Sequence, residues 1–449
     1  MTEPGAPDDG RGPVRAALAR RSQHDRDIVR LAVPAFAALA AEPLYVLADT
    51  AVVGRIGTPE LAGLAVASAV LLTFHSLSIF LAYGTTASVA RRVGAGDRVG
   101  AADDALQSLW LSLLLASVAV VAGAAFAEPL LRALGADGEV LAHGLLYLRI
   151  SLLGLPALLL TLAGTGWLRG IQDTRTPVVV ALGTALANLV LESILVFGLG
   201  FGIGASAAST VLVQWVGAAV YTRSVLRGAA NERVSLRPHV ARIGALARIG
   251  RDLIIRTAAL RASLLIATAV AARLGTVDLA AHQISFEVWS FLALSLDSVA
   301  IAGQALVGNH LGAGRAAVAR AAGNRMLAWG AALGVVAAIA VMASRGLLPS
   351  AFTEDRAVRD LTAFILLWVA VLQPINGVVF TLDGLLIGAG DQRYLARSMV
   401  AALACFAPVA AMVLLFDLGI GWLWAALGVL MIARLATLAT RWRTDTWAT

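Results

Sequence analysis

Twelve apolar runs, each close to the length of a bilayer crossing, narrow the folds open to this chain to a bundle of membrane-spanning helices. A spanning helix needs about 20 mostly apolar residues. Runs near 28-53, 61-90, 105-127, 140-168, 177-198 and 203-226 precede a polar basic stretch, and runs near 252-274, 279-307, 322-344, 359-387, 395-416 and 419-440 follow it. Only 14% of the residues are charged, against about 25% in soluble domains, so a soluble enzyme is excluded. The net charge of +7 is carried by arginine, with no lysine, and belongs to loops rather than to a nucleic-acid surface.

Those arginines set the expected orientation. Arg91, Arg92 and Arg98 follow span 2, Arg169 and Arg175 follow span 4, and a long basic linker follows span 6. Arg315, Arg320 and Arg325 follow span 8, Arg393 and Arg397 span 10, and Arg441 and Arg443 span 12. The positive-inside rule then puts both termini in the cytoplasm. The expected layout is a disordered basic tail over 1-27, an N-lobe over 28-226, a cytoplasmic linker over 227-251, a C-lobe over 252-441 and a short tail over 442-449. The apolar segment after the basic tail is too long and too acidic for a cleavable signal peptide.

The two sets of six spans are copies. Arg55-Ile56-Gly57-Thr58-Pro59-Glu60-Leu61-Ala62 aligns with Arg273-Leu274-Gly275-Thr276-Val277-Asp278-Leu279-Ala280 at an offset of 218, and Val93-Gly94-Ala95-Gly96 aligns with Leu311-Gly312-Ala313-Gly314. Gly166, Leu168, Gly170, Asp173 and Arg175 recur as Gly384, Leu386, Gly388, Asp391 and Arg393 at the same offset. Parallel repeats of this kind pack about an axis along the membrane normal and put a substrate cavity between their two lobes. The fold class read from the chain is therefore all-α integral membrane, twelve helices in two parallel six-helix repeats.

The copies differ in their polar groups. Asp49, Asn188 and Glu192 in the first half fall on Ala267, Phe406 and Ala410 in the second, whereas Asp297 and Asp383 fall on Ile79 and Thr165. A carboxylate at membrane depth needs a partner, water or a proton, so these acids mark either a transport pathway or a buried structural pair. Glu42 and Asp49 are two helical turns apart and share a face of span 1, interrupted by Pro43. Glu42 is open to two readings, a pathway acid or a group hydrogen-bonded near that proline. Asn188 and Glu192, four apart, share a face of span 5. If Asp49 and Glu192 meet, they titrate as one coupled pair. Pro34 removes a helix donor, so span 1 is expected to kink there, and that kink is a candidate hinge. Asp297 and Asp383 pair with Arg261, hold the lobe together or take part in coupling, while Arg256 is expected to snorkel to the interface. The lone Cys405, in an apolar run, reads as a small core residue.

These residues resemble the multidrug and toxic compound extrusion (MATE) family, in its DinF-like branch. The resemblance rests on Pro43-Leu44 with Ala48-Asp49-Thr50-Ala51, on Leu168-Arg169-Gly170-Ile171-Gln172-Asp173-Thr174-Arg175-Thr176-Pro177, and on Ala281-His282-Gln283-Ile284. It extends through Val307-Gly308-Asn309-His310-Leu311-Gly312-Ala313-Gly314-Arg315 and Leu382-Asp383-Gly384-Leu385-Leu386-Ile387-Gly388-Ala389-Gly390-Asp391. It implies export of organic, often cationic or amphipathic, compounds in exchange for protons or sodium, by a monomer in the inner membrane of a bacterium. It also implies a coupling role for Asp49 and a shared cavity with Glu42, Tyr147, Asn188, Glu192 and Thr210. Tyr147 and Thr210 are equally open to ordinary helix packing. Related sequences often carry aspartate where this chain has Glu192, which lengthens that arm by one methylene.

Other classes fare worse. No His and carboxylate spacing suits a metal, and no cofactor is expected. The glycine-rich turns around Gly94, Gly96, Gly312 and Gly314 lack a Walker lysine and read as helix ends, which excludes ATP hydrolysis. A membrane enzyme would need an HExxH or GxSxG set that is missing. A flippase for a lipid-linked saccharide shares a related architecture but calls for an arginine-dominated cavity, and a passive channel would not move substrate uphill.

Overall fold

A computed structural model describes residues 12–448, with side chains described from Asp25 onward apart from those at positions 42, 44, 45, 47, 48 and 51. Glu42 and residues 1–11 thus lie outside the described residues. In the N-lobe, α1 runs Gly12–Val53, α2 Thr58–Ser78, α3 Phe80–Gly94, α4 Arg98–Ala133, α5 Gly138–Leu152, α6 Leu155–Gly170, α7 Arg175–Ser193 and α8 Ile203–Asn231. In the C-lobe, α9 runs Val240–Leu274, α10 Thr276–Gly312, α11 Ala316–Ser344, α12 Arg356–Ala389, α13 Gln392–Leu415 and α14 Ile420–Arg443. Ten of the resulting stretches are long and apolar enough to cross a membrane, and the bent pair α5–α6 forms an eleventh. With α1 the spans number twelve, as the sequence pattern requires.

The repeat is exact at three helix starts. Helices α2, α4 and α5 begin at Thr58, Arg98 and Gly138, and their counterparts begin 218 residues later at Thr276, Ala316 and Arg356. The turns repeat as well: Gly96 and Gly314 both take positive φ, as do Gln172 and Gly390 at the same offset. Yet two spans are broken in the N-lobe only. Span 2 breaks at Ile79 between α2 and α3, and span 4 bends by 48° between α5 and α6. Their counterparts α10 and α12 are unbroken. A break frees backbone groups that must find partners inside the protein. At the second break, Trp215 Nε1 of α8 donates to the Leu153 carbonyl at 3.1 Å, and a side chain at Gly154 would run into Gln214.

The ends depart from the sequence expectation. Residues 12–27 are helical rather than disordered, and Asp25 receives both nitrogens of the Arg325 fork, at 2.6 and 2.8 Å, together with Trp329 Nε1 at 2.8 Å. An acid in a basic, polar stretch reads as solvated until the facing helix supplies its partners. The basic linker is also shorter than expected, because α8 and α9 extend past the apolar runs. Its remainder is stitched to α4: Gln107 accepts from the His239 amide at 2.8 Å, and Trp110 donates to the Leu236 carbonyl at 3.0 Å. The C-terminal tail packs as well, with Trp447 stacked on Trp442 at 4.1 Å between ring centres. Cys405 is exposed rather than a core residue; in a membrane protein an apolar run has a lipid side that accepts a thiol as readily as the core does.

The lobes meet where the arginine-rich loops gather. There α3 and α10 end in reciprocal contact: a Cβ at Gly94 would lie 1.9 Å from the Asn309 carbonyl oxygen, and one at Gly312 would lie 1.8 Å from the Arg91 oxygen. Asn309 is the repeat counterpart of Arg91, so one contact is made twice. Arg91 adds a hydrogen bond to the Ala389 carbonyl at 2.7 Å. Beside this contact Asp97 caps α4 by accepting from the Gly100 amide at 2.8 Å, and that amide with Arg92 holds its carboxyl below the usual carboxylate range.

Gly312→Val should force the two lobes apart at this end, since the obstruction is backbone that cannot swing away. Spin labels at Arg98 and Arg315 should report a longer, broader distance distribution than in wild type. An unchanged distribution would show that the contact does not govern closure.

Candidate functional site

Four N-lobe helices bring one acidic cluster together. Asp49, near the end of α1, is 6% exposed and Glu192 of α7 is 1% exposed. The two carboxyl groups are within hydrogen-bonding reach of each other. Ser206 of α8 donates to Asp49 at 2.9 Å, and Tyr147 of α5 also bonds Asp49. Asn188 Nδ2 donates to Glu192 at 3.3 Å, as the four-residue spacing anticipated. Among the described residues, no arginine pairs with either acid. The amide oxygen of Asn188 is buried without a partner.

The cluster borders a cavity in two adjoining parts. One part, about 210 Å3, is lined by Asp49, Tyr147, His75 and Thr210. The other, about 290 Å3, takes in Asn188, Tyr83, Tyr221 and Arg169, and the two share His75, Leu158, Thr210 and Gln214. Ile79, between α2 and α3, and Leu155 and Leu158, in the first turn of α6, line it. Span 1 and span 4 run in opposite directions, so Asp49 near the end of one and Arg169 near the end of the other lie toward opposite faces of the membrane.

The candidates for the second half sort differently. Asp383 of α12 accepts from Arg256 of α9 at 2.7 and 3.4 Å and is ion-paired with Arg434 of α14. Arg256 therefore does not snorkel: its side chain is 12% exposed, because the buried carboxylate attracts it more than the interface does. Arg261 does not serve Asp297 or Asp383 either; it reaches into the other lobe and donates to Ser76 at 2.7 Å. Asp297 sits in the field of Arg256, Arg434 and Arg169. Pro34 does not interrupt α1. The carbonyl of Arg30, which its missing N–H leaves free, accepts from Thr174 at 3.4 Å.

Sequence reasoning passed over Ser206, Arg434 and Arg169. Serine is too common in membrane helices to stand out, Arg434 lay inside a run taken as lipid-spanning, and Arg169 was counted as a loop charge although α6 keeps it 8% exposed. The signal for the two arginines was a guanidinium within or immediately at the end of an apolar run. Among the described residues, no group of three His, Cys, Asp or Glu could hold a metal ion.

This is a two-lobe, twelve-span membrane protein with a largely apolar cavity in one lobe that Asp49 lines. Its sequence matches the MatE family model over residues 34–194 and 253–416, and the chain belongs to that family of multidrug efflux transporters. It is 33% identical over 440 residues to Protein DETOXIFICATION 44, chloroplastic, of Arabidopsis thaliana, covering 94% of this chain and 82% of that one. It is 29% identical over 449 residues to DNA damage-inducible protein F of Escherichia coli K12, covering 96% and 95%. An outward-facing multidrug resistance MATE family transporter superposes with a TM-score of 0.84 at 21% identity, covering 93% of this chain and 94% of that one.

Removing one member of the C-lobe cluster should be far more damaging than removing the lobe-bridging arginine. Asp383→Ala strands two buried guanidinium groups and should destabilise the protein by about 3–5 kcal/mol. Arg261→Ala loses one hydrogen bond, about 1 kcal/mol. Thermal unfolding of the two variants in detergent would check the ranking.

Proposed function

We propose that the protein exports amphipathic organic compounds in exchange for protons, with Asp49 and Glu192 as the coupling pair. The observation that carries this reading is a carboxyl pair in mutual hydrogen-bonding reach, buried in a membrane lobe with no cationic partner among the described residues. Two carboxyl groups can hydrogen-bond to each other only if one holds a proton. This favours the proton over sodium as the driving ion. Ser206, Tyr147 and Asn188 hold the pair in place, and Glu192 is the member shielded from the cavity.

Exchange follows from competition. With the pair ionised, the cavity carries negative charge and holds a substrate amine; with protons bound, that attraction is gone and the substrate leaves. Two ligands that compete for one charge are linked reciprocally. Glycine-to-backbone contact closes the arginine-rich end. If the positive-inside rule holds, that end is cytoplasmic and the cavity faces outward, poised to take up protons. Rocking of the lobes then opens the other side, with Pro34 as the hinge and the Arg30–Thr174 bond reporting its position. The reading places a monomer in a bacterial inner membrane with both termini inside. A flippase of pyrophosphate-linked saccharides would want several arginines in the cavity, and this one has Arg169 alone.

The test is exchange in proteoliposomes loaded with a pH dye and challenged with ethidium under an imposed proton or sodium gradient. Wild type should move ethidium against its gradient as protons move the other way. Asp49→Asn and Glu192→Gln should lose that exchange while remaining folded. Export driven by sodium alone, or normal exchange by Asp49→Asn, would move coupling away from this pair and toward Asp297.

A further inference from the structure

At the far end of the cavity from Asp49, a buried guanidinium has no ion-pair partner among the described residues. Arg169 is 8% exposed and lines the larger part of the cavity, where it is the one formally charged side chain among the described residues. The groups that act on it are the phenols of Tyr83 and Tyr221 and, from the other lobe, Asp297. No carboxylate among the described residues forms an ion pair with it. The nearest acid in sequence, Asp173, is engaged elsewhere: it accepts from the Arg175 and Thr176 amides, both at 3.1 Å, and from the Thr176 hydroxyl at 2.6 Å, at the start of α7. The repeat counterpart of Arg169 is Ile387, so the duplicated scaffold does not require an arginine here.

A buried charge left unpaired is strongly unfavourable, and the arginine fork matches a carboxylate with two parallel hydrogen bonds. The phenol of Tyr221, itself bonded to Thr165, and that of Tyr83 supply further donors. The walls between them and the acids, Leu158, Leu162, Val180 and Val213, are apolar. Convergent polar groups in an otherwise apolar cleft define a ligand site.

We propose that Arg169, with Tyr83 and Tyr221, forms a carboxylate-binding subsite, so that the cavity selects amphiphiles bearing a carboxylate over otherwise identical cations. The inference rests on the reading of this cavity as the substrate site but not on the identity of the coupling ion. A zwitterion satisfies both ends at once, its amine toward Asp49 and its carboxylate on Arg169. A molecule lacking the carboxylate leaves the guanidinium unpaired.

The experiment is equilibrium binding by fluorescence polarisation to the purified full chain in phosphatidylcholine nanodiscs. The probes are rhodamine 110, which carries a free carboxylate, and rhodamine 123, its methyl ester. Wild type should prefer the acid by about tenfold, the scale of one well-placed charged hydrogen-bond pair. Arg169→Gln should remove that preference by weakening the acid alone, and Arg169→Lys should retain part of it. If Arg169→Gln fails to fold, Tyr221→Phe should still narrow the acid-to-ester ratio.

Equal affinity of wild type for both dyes would overturn the subsite while leaving export intact, as would a parallel loss of both in Arg169→Gln. Failure of either dye to bind wild type would overturn the subsite and the cavity reading together. If added phosphatidylglycerol abolishes the acid's advantage, the guanidinium takes a lipid phosphate and the substrate subsite is overturned.

Discussion

An acid placed in hydrocarbon has to be neutralised by an ion, a proton or water, and much of this molecule's arrangement follows from how that demand is met in each lobe. In the C-lobe, Asp383 meets it with two arginines from neighbouring helices, and the result is a tight cluster that ties α9, α12 and α14 together. In the N-lobe, Asp49 and Glu192 meet it with hydroxyls, an amide and each other. A fully paired acid is a fixed strut. An acid paired with another acid remains able to exchange what neutralises it, and that is the property a coupling site needs.

The same division runs through the backbone. Three helices begin at equivalent residues in both halves, yet α10 and α12 are continuous where the N-lobe spans break at Ile79 and at Leu153–Gly154. At the second break Trp215 of α8 closes the freed Leu153 carbonyl. Close helix contact is kept in both halves, with Gly384 and Gly388 against the backbone of α10 and their counterparts Gly166 and Gly170 against α3. One half of a duplicated frame serves as scaffold and the other carries the pocket.

The frame was legible because it depends on period and length. Apolar runs of bilayer length and the 218-residue echo of three loops defined twelve spans and two lobes, while the mismatched acids stood in both halves and did not by themselves single out the lobe with the cavity. Partners of charged groups were not legible, because an ion pair depends on which side chains of distant helices face each other. Arg261 and Arg256 lie five apart on one helix, yet one serves Ser76 and the other Asp383. Arg169 was misread for a related reason. A charge at the end of an apolar run looks like an interface residue until the break in span 4 is seen to turn it inward.

The reciprocal contact of Gly94 with Asn309 and of Gly312 with Arg91 has the geometry of an isologous interface, in which one patch meets its own copy across a two-fold axis. In a true homodimer a single substitution would strike both contacts, and the interface could change only symmetrically. Joined in one chain, the two glycines vary independently, so either contact can be loosened while the other stays shut. Fusion thus makes it possible to tune the strength of this seam in two steps rather than one.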